Sequence, residues 1–301
     1  MTRKFLWGLI ICLLITNLTT LAIWMNEKKI TSPVEPLNGN VDEKRSVATV
    51  NGREISYNTW VSKLQEQYGE KVLRDMMDKQ IVFQLAEDQG IEISQNLINR
   101  EVSLLFTMYG VLSSEEIKEN EAAWEEDVRY RLSLEELLTA DISIDNSEIM
   151  DYYEDNRQQY EFDESIQVSH IVVNDLETGN KVYEELEDGA SFQALAREYT
   201  IDENSRSDGG YLGFFTENND YLPARYYEKA MEMKEDSYSE PFRTASGEVA
   251  ILYFHRLLPS ITFSYDEIKY HIKRELALEQ IKPTITTDPF WDEMDVEWIY
   301  E

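Results

Sequence analysis

Val168-Ser169-His170-Ile171-Val172-Val173 is the stretch on which the fold turns. Small or polar residues alternate with apolar ones, which suits a buried strand carrying His170 on one face. Three further pieces follow it in order. Ser191-Phe192-Gln193-Ala194-Leu195-Ala196 leads into Tyr199-Thr200-Ile201-Asp202. Gly209-Gly210-Tyr211-Leu212-Gly213-Phe214-Phe215 comes next, and Ser239-Glu240-Pro241-Phe242 precedes a last apolar run. Read by themselves, these residues allow bland roles. A lone histidine on a core strand is commonly a satisfied structural group. Asp202 could cap the loop after the 191–199 helix, Leu212 and Phe215 could be core, and the glycines suit tight turns rather than binding.

Taken together and in this order, the pieces resemble the parvulin (PpiC-type) peptidyl-prolyl isomerases. That family has a strand S/A-H-I-L-V, a helix F-x-x-L-A-x-x-Y-S, a loop G-G-x-L-G-x-F and a closing strand after S-x-P. The resemblance covers 166–260 and implies a small antiparallel sheet flanked by helices, acting as an isomerase without a cofactor. Carried over by position, His170 matches the first-strand histidine, and Asp202 the residue facing the substrate carbonyl. Leu212 and Phe215 match the apolar wall of the glycine loop. The proline cup falls on Leu222 and on Tyr226 or Tyr227, where 221–227 carries an insertion. Thr244 and Ser246 match polar positions before the last strand.

One position departs from the family. The usual F/S-G-x-H-I-I is here Ser246-Gly247-Glu248-Val249-Ala250-Ile251, so Val249 stands where the family has a second histidine bonded to the first. The resemblance then implies intact folding with reduced isomerase activity. His255, six residues on at the strand's end, is no replacement.

Outside 166–260 the pattern is helical. Val47–Ile55 reads as strand, turn, strand, and Ser56 as the cap of a helix stopped at Gly69. Helices follow over 70–89 (Val72, Leu73, Met76, Ile81, Leu85) and from Ser94 to Gly110 (Leu97, Ile98, Val102, Leu105, Met108). Ser113-x-x-Glu116 fits a capping box for a short helix. A fourth spans 122–139, and Asp145 or Asn146 caps a fifth. Thr262–Lys282, with Ile268, Ile272, Leu276 and Ile281 aligned, is expected to return onto these helices. His271, beside Lys273 and Arg274, reads as a surface residue. The layout is similar to PrsA-type foldases and SurA-like chaperones. The expected fold is α+β: a parvulin domain at 166–260 inserted between helical parts at 47–165 and 261–301.

Phe5–Trp24 is roughly 20 mostly apolar residues, the length of a membrane-spanning helix. Arg3 and Lys4 precede it, and Trp7 and Trp24 suit the interfaces. A cleaved signal peptide is the rival reading. Thr20-Leu21-Ala22 is a poor cleavage site, however, and the apolar run continues through Trp24. Cys12 follows Ile11 in mid-segment, which does not suit lipid attachment. Residues 1–29 are expected to anchor the chain, 30–46 to form a tether, and the bulk to lie outside a bacterial cell membrane as a single-pass protein.

Composition removes several classes. The net charge of −31, from 59 acids against 28 Lys and Arg, opposes nucleic-acid binding, which demands a basic surface. With one cysteine and three histidines there is no disulfide framework and no Cys/His metal site beyond the anchor. A calcium loop starting at Asp202 would need Gly and Glu where Ser207 and Gly213 stand. The expected partners are unfolded or partly folded secreted polypeptides containing X-Pro bonds. The alternative is a non-catalytic chaperone whose parvulin domain is a degenerate scaffold.

Overall fold

The computed structural model describes residues 45–112, 114–281 and 285–300. The expected anchor with Cys12, nearly all of the tether, and Ser113 of the capping box lie outside the described residues. Among the described residues no helix is long and apolar enough to cross a membrane. The chain divides into two compact units at Leu73/Arg74.

In the first unit β1 (Ser46–Val50) and β2 (Arg53–Ser56) pair antiparallel. Asn51-Gly52 joins them with φ of 49° and 76°, the left-handed values that a two-residue hairpin turn requires. Ser56 caps α1 (Tyr57–Leu64) by accepting from the Thr59 amide at 3.2 Å. Gly69 does not stop the helix as expected. Gln65–Gly69 is π-helical instead, because the residues after it favour helix and include no proline.

The helix α2 (Glu70–Asp88) buries Ile81, Val82 and Leu85, but Val72 and Met76 of the expected stripe are exposed. α3 (Gln95–Met108) buries Leu97, Ile98, Val102 and Phe106, leaving Met108 outside. The two helices expected over 113–139 are one, α4 (Ser114–Thr139), since Lys118-Glu119-Asn120-Glu121 holds no breaker. α5 (Asn146–Tyr160) follows Asp145.

Next comes a five-stranded antiparallel sheet, in the order β4-β3-β7-β5 with β6 also on β7. Its strands are β3 (Ser165–Val173), β4 (Tyr211–Phe215), β5 (Ser237–Tyr238), β6 (Phe242–Arg243) and β7 (Val249–Leu258). Between β3 and β4 lie α6 (Leu176–Glu187), α7 (Phe192–Tyr199) and the single turn α8 (Glu203–Arg206). α9 (Tyr226–Met231) sits between β4 and β5. Every residue of β3 is buried, because both faces are covered. Ile171, Val173, Val249 and Ile251 face α6 and α7. Ile166, Val168, Ala250, Leu252 and Phe254 face α9. Each Val, Leu, Ile or Phe among them contributes about 1.5–3 kcal/mol by leaving water.

Entry to and exit from this sheet region lie side by side. Phe162 and Ile261 exchange two backbone hydrogen bonds of 2.8 Å. Beyond them α10 (Tyr265–Ile281) packs on α4 and α5, placing Ile268, Ile272 and Leu276 in a core with Leu97, Ile98 and Leu132. α11 (Asp288–Trp291) sets Phe290 against Ile81 and Leu137. His271 is not a surface residue: it is buried, with Nε2 3.2 Å from Glu275 Oε1. The sequence hid this because neighbouring Arg274, which marked that side as polar, is itself buried between Glu135 and Glu136, each 3.3 Å away.

Candidate active site

His170 enters from the middle of β3, on the face toward α9. Its backbone amide donates to Gly210 O at 2.8 Å, so the glycine loop lies against the strand. Gly210 has φ of 84°, and a Cβ there would stand 2.2 Å from His170 O. Only glycine permits that approach. The loop thereby delivers Leu212 and Phe215 beside the histidine's face of the sheet.

Asp202 follows α7 and caps α8, accepting from the Asn204 amide at 3.2 Å. The structure joins the bland and the chemical readings of this residue. Its Oδ2 also lies 2.9 Å from His170 Nε2 and accepts from Ser205 Oγ at 2.6 Å. Burial alone would push the Asp202 carboxyl up. The hydrogen bonds from Ser205, His170 and the Asn204 amide outweigh that and hold it below the usual carboxylate range. Burial pulls the His170 pKa down, against the pull of Asp202, so the imidazole is neutral at neutral pH. A neutral ring facing an ionised carboxylate must carry its proton on Nε2.

Leu212, Phe215, Leu222 and Tyr227 are half-buried and pack on the same core as Val168 and Leu252. Ile201, Met233 and Phe242 join them, three residues to which the family motifs assign no site role. Ser239-Glu240-Pro241-Phe242 was the signal that could have pointed to Phe242. Tyr227 donates to Glu164 Oε1 at 2.7 Å, and burial together with that carboxylate pushes its phenol up to about 12.

Three expectations need correction. Tyr226 is fully buried, so it offers no surface to a proline ring. Its hydroxyl lies 3.0 Å from His170 Nδ1 instead. Thr244 and Ser246 do not join the His170–Asp202 pair. They occupy a tight turn closed by Gly247 at φ 94° and spend their hydroxyls on each other (2.9 Å) and on Glu248. Val249 is not a lost neighbour of His170. It pairs with Val173 while His170 pairs with Leu252, and it packs with Ile171 and Val182 on the opposite face.

On that opposite face His255 Nε2 lies 2.8 Å from Ser169 Oγ, and burial lowers its pKa to about 4. A cavity of about 1010 Å³ opens there, among Phe106, Leu112, Tyr253, His255 and Arg256. It includes neither His170 nor Asp202. Among the described residues no cluster of acids, histidines or cysteines is arranged to hold a metal.

The Rotamase family model, described as the PPIC-type PPIASE domain, matches residues 176–256, starting just after the strand that carries His170. YacD of Bacillus subtilis (strain 168), which carries the name of a peptidyl-prolyl cis-trans isomerase, is 38% identical over 256 residues, covering 85% of this chain and 86% of that protein. Foldase protein PrsA of Halalkalibacterium halodurans is 30% identical over 248 residues, covering 78% of this chain and 71% of that protein. The crystal structure of PrsA from Bacillus subtilis overlaps with a TM-score of 0.34 at 21% identity, covering 86% of this chain and 96% of that one. The chain belongs to the PpiC-type, parvulin peptidyl-prolyl cis-trans isomerases, among the PrsA-like foldases.

Proposed function

We propose that the isomerase works through Asp202 and His170 at the edge of the apolar cup, on proline-containing segments of unfolded secreted proteins. Rotation about an X-Pro bond is slow, tens to hundreds of seconds unaided, because the planar amide's resonance must be broken midway. No covalent bond changes, so catalysis consists of holding the twisted amide better than the planar one. Leu212, Phe215, Leu222, Tyr227 and Phe242 supply the apolar surface for the proline ring. A planar amide concentrates negative charge on its oxygen, and twisting returns that charge to nitrogen. A fixed carboxylate facing the oxygen therefore repels the planar form more than the twisted one. The drier the cup, the larger that difference.

The observation that carries this reading is the 2.9 Å contact between His170 Nε2 and Asp202 Oδ2, a buried neutral ring holding a partly exposed anion. The other parts of the reading follow the sequence. Residues 166–260 form the isomerase domain, 47–165 and 261–301 the chaperone-like part. Phe5–Trp24 holds the chain to the outer side of the bacterial cytoplasmic membrane. The net charge of −31 keeps it soluble there and favours basic over acidic client segments.

Refolding of a denatured secreted protein whose slow phase is limited by proline tests the reading. The full chain should shorten that phase, and Asp202→Ala should not. Equal acceleration by Asp202→Ala would remove Asp202 from the mechanism.

A further inference from the structure

We infer that Tyr226 is a positioning residue for this site: its hydroxyl donates to His170 Nδ1 and locks the ring with its proton on Nε2, aimed at Asp202. The inference rests on the reading of His170 and Asp202 as the working pair and assigns a role to a residue that touches neither client nor carboxylate. The proton arithmetic leaves one arrangement. Asp202 Oδ2 accepts from Ser205 and is an acceptor only, so His170 Nε2 must donate to it. In a neutral ring Nδ1 is then bare and can only accept. The atom facing it, at 3.0 Å, is the Tyr226 hydroxyl oxygen, which must supply the proton.

The surroundings of Tyr226 suit this role. Its side chain is fully buried, edge-on to His170 and to Phe242 with ring centroids 5.8 and 5.7 Å apart. A buried phenol without a partner is costly, and His170 Nδ1 is its one hydrogen-bond partner among the described residues. Arg225, just before it, takes a left-handed φ of 74°, a turn uncommon for a residue with a side chain, and α9 begins at Tyr226 itself. The backbone turns sharply just before the tyrosine opens the helix that packs on the sheet. Without a donor at Nδ1 that nitrogen takes up a second proton more readily, while Asp202 still holds the first on Nε2. That change would alter the charge of the group that holds Asp202.

Tyr226→Phe keeps the ring and removes only the O–H. The test is made on the full chain labelled with ¹⁵N-histidine, whose three imidazoles are few enough to assign. Wild type should show His170 with a bare Nδ1 and a protonated Nε2, and the Tyr226 hydroxyl proton should be slow to exchange and close to the ring. In Tyr226→Phe the Nδ1 resonance should move and the midpoint of His170 protonation should rise, because the bond that favoured the neutral ring is gone. The kcat for a proline peptide should fall about tenfold with KM nearly unchanged, the equivalent of one buried hydrogen bond.

A variant with wild-type tautomer, midpoint and kcat would overturn the inference, provided Asp202→Asn lowers kcat. If Asp202→Asn also leaves kcat unchanged, it is the site reading that fails. Should Tyr226→Phe not fold, the wild-type spectra decide: a proton on Nδ1, or a freely exchanging Tyr226 hydroxyl, overturns the inference.

Discussion

Ser205 Oγ lies 2.6 Å from Asp202 Oδ2, the same oxygen that His170 Nε2 approaches at 2.9 Å. Two donors converge on one oxygen, and this keeps Asp202 ionised although burial opposes it. The sign of the pH effect follows. A depressed carboxyl pKa means the anion persists to lower pH than an ordinary aspartate, so activity should hold through the range just above pH 3.8. Ser205→Ala removes one of the two donors and should move the acid limb of the kcat/KM profile upward. A limb that stays in place would show that Ser205 does not tune Asp202.

Val249→His restores the residue that the parvulin family places there, yet it should not restore activity. Position 249 faces α6, where Val249 is fully buried and a Cβ on Gly179 would come within 2.8 Å of its Cγ1. A larger polar ring in that space lacks room and a partner. The expected outcome is destabilisation by about 2–4 kcal/mol with no gain in kcat/KM, read from urea unfolding and a proline-peptide assay. A gain in activity would mean that the two positions communicate across the sheet after all.

His255 should make stability depend on pH. Its folded pKa is about 4 against an ordinary 6.5, so the unfolded chain binds the extra proton first. The stability it confers is complete above pH 6.5 and is lost as pH falls toward 4. At about 1.4 kcal/mol per pH unit this amounts to at most about 3.5 kcal/mol. His255→Gln should show a shallower loss than wild type between those limits, measured by denaturant unfolding at each pH. Parallel curves would assign the acid sensitivity to other groups.

Gly210→Ala tests the loop's approach to β3. With φ at 84° and an added Cβ 2.2 Å from the His170 carbonyl oxygen, neither the conformation nor the space is available. The loss should exceed about 3 kcal/mol, the range of strained or overpacked sites. A thermal midpoint within a few degrees of wild type would contradict the close approach described here.

The parts of this molecule that were legible in the sequence are those written locally. Asn51-Gly52 specifies its own turn, Ser56 its own cap, and the alternation from Val168 to Val173 its own strand. The pair His170 and Asp202 came from motif resemblance, which supplied the partner that spacing alone could not. What stayed hidden depends on register and on neighbours distant in sequence. Whether Val249 shares a face with His170 is set by the β3–β7 pairing, His170 with Leu252 and Val173 with Val249. The depth of Tyr226 depends on how α9 lies on the sheet, which no short-range pattern encodes. The burial of His271 and Arg274 required α4 to supply Glu135 and Glu136 from far along the chain. The exposure of Met76 and Met108 shows the converse, an apolar stripe that the fold does not cover.

The central claim, that Asp202 held by His170 catalyses rotation about X-Pro bonds, is tested most directly by a protease-coupled proline-peptide assay on the full chain beside its Asp202→Asn and His170→Ala variants. Wild type should catalyse clearly, and kcat/KM should fall roughly ten- to hundredfold in each variant, with folding intact by circular dichroism. Wild-type rates retained in both folded variants would contradict it.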